Sequence, residues 1–143
     1  MKEDDIRNIA AKGRKRIIEY AIRKDGSMPA KEFLDGLDKR DRNHLRARFQ
    51  HLADGGEQEM NNDQVFKAER PPFWTFKRKS KNSPKGGDGM IRIPCFRIGN
   101  RWILTHGFWK PPQSEWPEHA FVLAEQIRQE FSAREEQKRQ REK

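Results

Sequence analysis

The chain holds one cysteine, Cys95. An intramolecular disulfide is therefore excluded, and so is a thiolate cluster around a metal, which fits a reducing compartment. Cys95 lies in an apolar run and reads as a small core residue. No stretch has the length and apolarity of a membrane span. The first residues, MKEDDIRNIAAKGRKR, lack the apolar segment of a signal peptide. A cytoplasmic protein without membrane association is the expectation. Acid is scarce where it matters most. Between Trp74 and Lys110 the cations Lys77, Arg78, Lys79, Lys81, Lys85, Arg92, Arg97, Arg101 and Lys110 face one carboxylate, Asp88.

What is present is charge and a modest core. The 143 residues are 33% hydrophobic, enough for one small domain. A net charge of +9 favours a polyanion or an acidic protein as partner. Alternation over Arg16 to Ile22 predicts a first strand, and Asp25-Gly26-Ser27 a turn. Pro29 suits the first position of a helix carrying Phe33, Leu34 and Leu37. Asp38 caps a second helix, with Leu45, Phe49 and Leu52 on its buried face and Asp54-Gly55-Gly56 at its end. Its cations Lys39, Arg40, Arg42, Arg46 and Arg48 read as a solvated face. Residues 57–70 read as a polar loop. Strands follow over Phe73 to Lys79, Met90 to Ile98 and Arg101 to Trp109, the last two joined by a Gly99-Asn100 turn. Pro94 implies a bulge or an edge, and Pro111-Pro112 a stop.

The last helix begins near Pro117, with Ala120, Leu123, Ala124, Ile127 and Phe131 on one face, and frays beyond Ser132. The expected order is β-α-α-β-β-β-α, an α+β domain with a small, mainly antiparallel sheet. It spans residues 15–132, between a flexible or helical extension at 1–14 and a charged tail at 133–143.

Three pieces together resemble a known family: FLDGLDKRDRNHLRARFQHLADGG, FWTFKRK and MIRIPCFRIGNRWILTHGFWK. In their order and spacing they are similar to the RelE/ParE superfamily of bacterial type II toxins, most of all its HigB-like, phage-derived branch. The matching positions are Ile91-Arg92, Phe96-Arg97, His106-Gly107-Phe108 and Lys110. The resemblance implies a RelE-like fold and a ribosome-dependent mRNA endoribonuclease, with ribosome and mRNA as partners. It also implies a cognate antitoxin, typically a helix-turn-helix protein. The ParE branch of similar fold poisons gyrase instead, and a domain that binds RNA or antitoxin without catalysis is a third reading.

Cleavage through the ribose 2′-hydroxyl needs acids, bases and cations from the protein, and no cofactor or metal. The resemblance places Arg92 as a phosphate clamp; its ordinary alternative is a salt bridge. On that reading Arg92→Ala removes charge stabilisation and spares the fold. Lys77 and Lys110 are the further catalytic candidates, with His106 as base or acid, or as a core histidine. Alternation puts Lys77 and Lys79 on one face and Arg78 on the other. With Lys81 and Arg97 these are candidate RNA contacts. Trp116 stands where the RelE branch has a tyrosine; indole stacks on bases but cannot relay a proton as phenol does. His119, in the first turn of the last helix, is a secondary candidate. His44 and His51 read as structural or exposed.

Overall fold

The computed structural model describes residues 7–60, 65–110 and 115–142. The elements run β1 (Ile9–Lys12), β2 (Ile17–Tyr20), α1 (Pro29–Asp35), α2 (Lys39–Gly55), α3 (Glu57–Met60), β3 (Phe66–Ala68), β4 (Trp74–Ser80), β5 (Gly89–Ile98), β6 (Arg101–Leu104), β7 (Phe108–Lys110) and α4 (Glu118–Arg141). This is an α+β fold on one mixed sheet in the order β1-β2-β6-β5-β4-β3, with β7 also paired to β5. The β2–β6 pair is parallel and the others are antiparallel. Among the described residues no helix is long and apolar enough to cross a membrane.

Two aromatic-rich cores cover the two faces of the sheet. Phe49, Leu45 and Leu52 of α2 pack with Leu34 of α1 against Phe76, Ile91, Ile93, Trp102 and Leu104. Phe49 meets Phe76 edge-on at 4.9 Å between centroids. On the other face Ala124, Ile127 and Phe131 of α4 pack on Phe73, Phe96 and Ile103. Local chemistry sets the helix ends. Pro29 opens α1, and the Asp38 carboxylate accepts from the Arg40 amide at 3.0 Å to cap α2. Gly56 leaves α2 at φ 82°, a conformation that a Cβ disfavours.

Several expectations are corrected. Among the described residues the sheet has seven strands and is not small, and the order of elements does not match the expected RelE-like β-α-α-β-β-β-α topology. Residues 9–12 of the expected extension are β1, because Ile9 and Ala11 pair with β2 opposite Glu19 and Ile18. The expected loop contains α3, and β3 forms where Phe66 faces Phe76 across to β4. The Pro111-Pro112 stop falls outside the described residues.

The single fourth strand is two strands end to end along β5, separated by Thr105-His106-Gly107. The interruption faces Pro94, whose carbonyl accepts from the Thr105 amide at 2.9 Å and its hydroxyl at 3.2 Å. A residue that exchanges bonds in an antiparallel pair points its N–H and C=O to the same neighbour, so the donor that Pro94 lacks is missing on this side. The break shifts the parity of the strand. Trp102 and Leu104 face α2, whereas Phe108 belongs to the α4 side.

Helix α4 continues to Arg141 instead of fraying at Ser132. Its distal turns have no apolar stripe, but Glu135 binds Arg101 of β6 and Lys138, and Glu136 binds Arg139. Basic residues in the last turn also complement the helix dipole.

Candidate functional site

Register brings the central cations together. Across β4, β5 and β7, Lys77 stands opposite Arg92, and Arg92 opposite Phe108. Directly paired residues share a face, so these three project to the α4 side. Lys110 lies one step on, opposite Met90. Adjacent strands are about 4.8 Å apart, which puts the charges within strong mutual influence. Lys110, 4% exposed, shows it. Burial, then the charges of Arg92 and Lys77, push its ammonium below the usual lysine range, against an upward pull from Glu69.

Glu69 organises the site from the turn before β4. Its Oε1 accepts from Arg92 Nη1 and from Trp116 Nε1, the latter at 3.1 Å. Burial raises this carboxyl, but the hydrogen bonds from Trp116 and Arg92 outweigh it and hold the group below its ordinary range. Arg92 is 6% exposed, and its Nε is a buried donor with no partner. One donor of the guanidinium is thus on a carboxylate and another, Nε, has no partner.

His106 sits at the end of this site behind Phe108, on which its ring stacks with centroids 5.5 Å apart. It does not share the face of Trp102 and Leu104, because the strand break intervenes. Nδ1 lies 3.1 Å from the Thr105 hydroxyl, and Nε2 is buried and unpartnered. Burial first, then the positive fields of His119 and Arg23, push its pKa down to about 4. It is a neutral imidazole at pH 7.

That value makes a stability prediction. Between about 4 and its ordinary 6.5 the unfolded chain binds a proton that folded His106 refuses. Stability is complete above pH 6.5 and falls as pH drops toward 4, by about 3 kcal/mol in all. Glu57 adds to the loss at lower pH. Burial would raise it, yet hydrogen bonds from Arg16 and Trp102 hold it at about 2 against 4.5. Thermal melts from pH 7 to pH 4 should show the fall beginning near pH 6.5, and His106→Gln should flatten its upper part. A melting temperature constant between pH 6.5 and 5 contradicts the burial of this ring.

The remaining candidates divide. Lys79 is exposed on the same face as Lys77, and Lys81 is exposed past the end of β4. Arg78 points the other way, where its Nε donates to buried Asp41 of α2 at 2.8 Å. Its guanidinium is a structural tie, not a free RNA contact. Arg97 lies on the α2 face, where it donates to the Gly99 carbonyl at 2.7 Å and approaches Glu57 at 3.7 Å. It is remote from the cluster because its partner across the hairpin is Trp102. Trp116 is buried among Phe73, Phe108 and Phe121 and cannot serve as an open stacking platform. His119 is exposed on α4 and reaches the site only through its field on His106.

Two residues that organise the site escaped the sequence reading. Glu69 falls in the stretch read as loop, and Asp41 lies four residues before Leu45 on the buried face of α2. The scarcity of acid near so many cations was the available signal. No model of a known protein family, no curated protein and no solved structure matches the chain.

Proposed function

We propose that the protein is the toxin of a toxin–antitoxin pair, a RelE-like domain of the HigB branch that cleaves mRNA on the ribosome. The observation that carries this reading is the meeting of Lys77, Arg92 and Lys110 on one sheet face. Three cations from three adjacent strands suit a phosphodiester and its developing charge. The described elements depart from the expected β-α-α-β-β-β-α order, with β1, α3, β3 and a separate β7, so the reading rests on the site and not on the topology.

In the proposed reaction the ribose 2′-oxygen attacks phosphorus and the bond to the 5′-oxygen breaks. A 2′,3′-cyclic phosphate forms, and the proton given up by the 2′-hydroxyl is balanced by the one that the leaving 5′-oxygen takes. Lys110 is the candidate for proton transfer, because burial and the charges of Arg92 and Lys77 make its proton easier to release. Arg92 grips a non-bridging oxygen once Glu69 yields it, and Lys77 neutralises charge from β4. His106 is shielded by Phe108 and keeps the end of the site apolar and uncharged. An antitoxin, of helix-turn-helix type, would cover the cationic face, and the compartment would be the cytoplasm.

One observation favours a second reading, binding without cleavage: Glu69 already occupies Arg92. Purified protein added to a reconstituted translation reaction separates the two. Cleavage predicts new mRNA fragments ending in 2′,3′-cyclic phosphate and 5′-hydroxyl. A protein that retards RNA in a gel and leaves translated mRNA whole supports the binding reading.

A further inference from the structure

Most arginines of this chain hold carboxylates. Arg16, Arg23, Arg70, Arg78, Arg92 and Arg101 each have an acidic partner. Several cations depart from this, and four of them form one band. Along the junction of α2 with β4, Arg40, Arg48, Lys79 and Lys81 line two adjoining clefts that share Arg78 and Lys79. None of the four has a carboxylate within ion-pair distance among the described residues. Among the described residues the only acid in either lining is Asp41, which is buried and already neutralised by Arg78. The larger cleft, of about 540 Å³, also takes in His44, Lys77 and Met90. It therefore runs from the helix round the strand edge to the face that carries Arg92 and Lys110.

Strand β3 pairs with β4 only as far as Phe76, and Lys77 donates its amide to the Val65 carbonyl at 2.8 Å. Among the described residues no strand covers β4 beyond that point. His44 reports the local field. Burial and then the charges of Arg78, Arg48 and Arg40 push its pKa down.

We infer that this α2–β4 band is a second nucleic-acid surface, a track for the phosphate backbone of single-stranded RNA leading into the site of Lys77, Arg92 and Lys110. The inference rests on the RNA-directed reading of that site and extends it to helix cations outside it. A polyanion fits better than a protein partner. Protein interfaces depend on apolar and aromatic anchors, and the one large hydrophobic residue exposed among the described residues, Val122, lies on α4. Evenly distributed cations without counterions are what a backbone track requires.

The test uses a 20-nucleotide RNA methylated at every 2′-oxygen, which binds but cannot be cut by 2′-hydroxyl attack, so failure of the nuclease reading does not affect the result. Its affinity is measured against salt for the native chain and for a variant carrying Arg40→Gln, Arg48→Gln, Lys79→Gln and Lys81→Gln, with circular dichroism confirming the fold. Each phosphate contact contributes about 0.7 to the logarithmic salt slope on single strands. The variant should lose about 3 from that slope and bind at least about tenfold more weakly at low salt, while a four-nucleotide RNA should bind both proteins alike. An unchanged slope in the folded variant overturns the track, as does failure of the native chain to bind the 20-mer. Unchanged RNA binding with lost affinity for a polyglutamate peptide also overturns it and assigns the band to an acidic protein.

Discussion

Replacing Arg92 with alanine should lower the cleavage rate by about 10²–10³-fold, the usual effect of deleting one preorganised charge at an oxyanion. It should also destabilise the fold, contrary to the expectation that the change spares it. Arg92 is buried and bound to half-buried Glu69, so its removal leaves a partly buried carboxylate with Trp116 as its remaining hydrogen-bond donor in this pair of contacts. Breaking a buried ion pair from one side costs about 3–5 kcal/mol. The two effects separate in a double variant. Arg92→Met with Glu69→Gln removes both charges, keeps an acceptor for Trp116, and should recover much of the stability with none of the activity. Glu69→Gln alone should bind RNA more tightly, since it frees Arg92 without opening a void. If Glu69→Gln instead binds RNA as before and loses cleavage, the carboxylate takes part in the chemistry and is not a stand-in for phosphate. If Arg92→Ala cleaves at the native rate, the reaction centre lies elsewhere.

Asp41→Ala should be the most damaging change outside the site. Asp41 is 1% exposed and accepts from Arg78 Nε at 2.8 Å and Ser80 Oγ at 2.7 Å, with Asn82 Nδ2 at 3.4 Å. Burial would raise its pKa, but these hydrogen bonds hold it below the usual range. The residue ties α2 to the far end of β4, 37 to 41 positions away in the chain. Alanine leaves the Arg78 guanidinium unpaired in a mostly buried setting and takes the Ser80 hydroxyl's acceptor. The expected loss is about 3–5 kcal/mol, a large part of the stability of a domain this size. Urea denaturation measures it. A loss under about 1 kcal/mol would mean that the pair behaves as a screened surface bridge. The same change should weaken RNA binding, because Arg78 and Asp41 brace the wall that carries Lys79 and Arg40.

What could be read in advance was local. Pro29, the Asp38 cap, the Gly55-Gly56 stop and the Gly99-Asn100 turn each act within a few residues, and each stands where the sequence suggested. The pairing of Lys77 with Arg92 depends on the register between β4 and β5, which alternation alone does not set. The rest depends on long-range contacts. Strands β1 and β3 are short edge strands, four and three residues long, and exist because β2 and β4 offer them partners. The interruption at Thr105-His106-Gly107 reverses which face the next side chains take, which a strand expected to run unbroken from Arg101 to Trp109 does not reveal. Gly107 is part of the reason for this geometry: a Cβ there would lie 2.1 Å from the Phe33 ring. The Arg92–Glu69 pair spans 23 residues and starts in an irregular turn, where no periodicity announces it.

The most direct test is a primer-extension map of cellular mRNA after brief induction of the protein, with translation running and with translation blocked. The account predicts in-frame cuts that vanish when translation stops, and that are absent from the Arg92→Met, Glu69→Gln variant. Growth arrest with intact mRNA, or cuts that persist without translation, would contradict it.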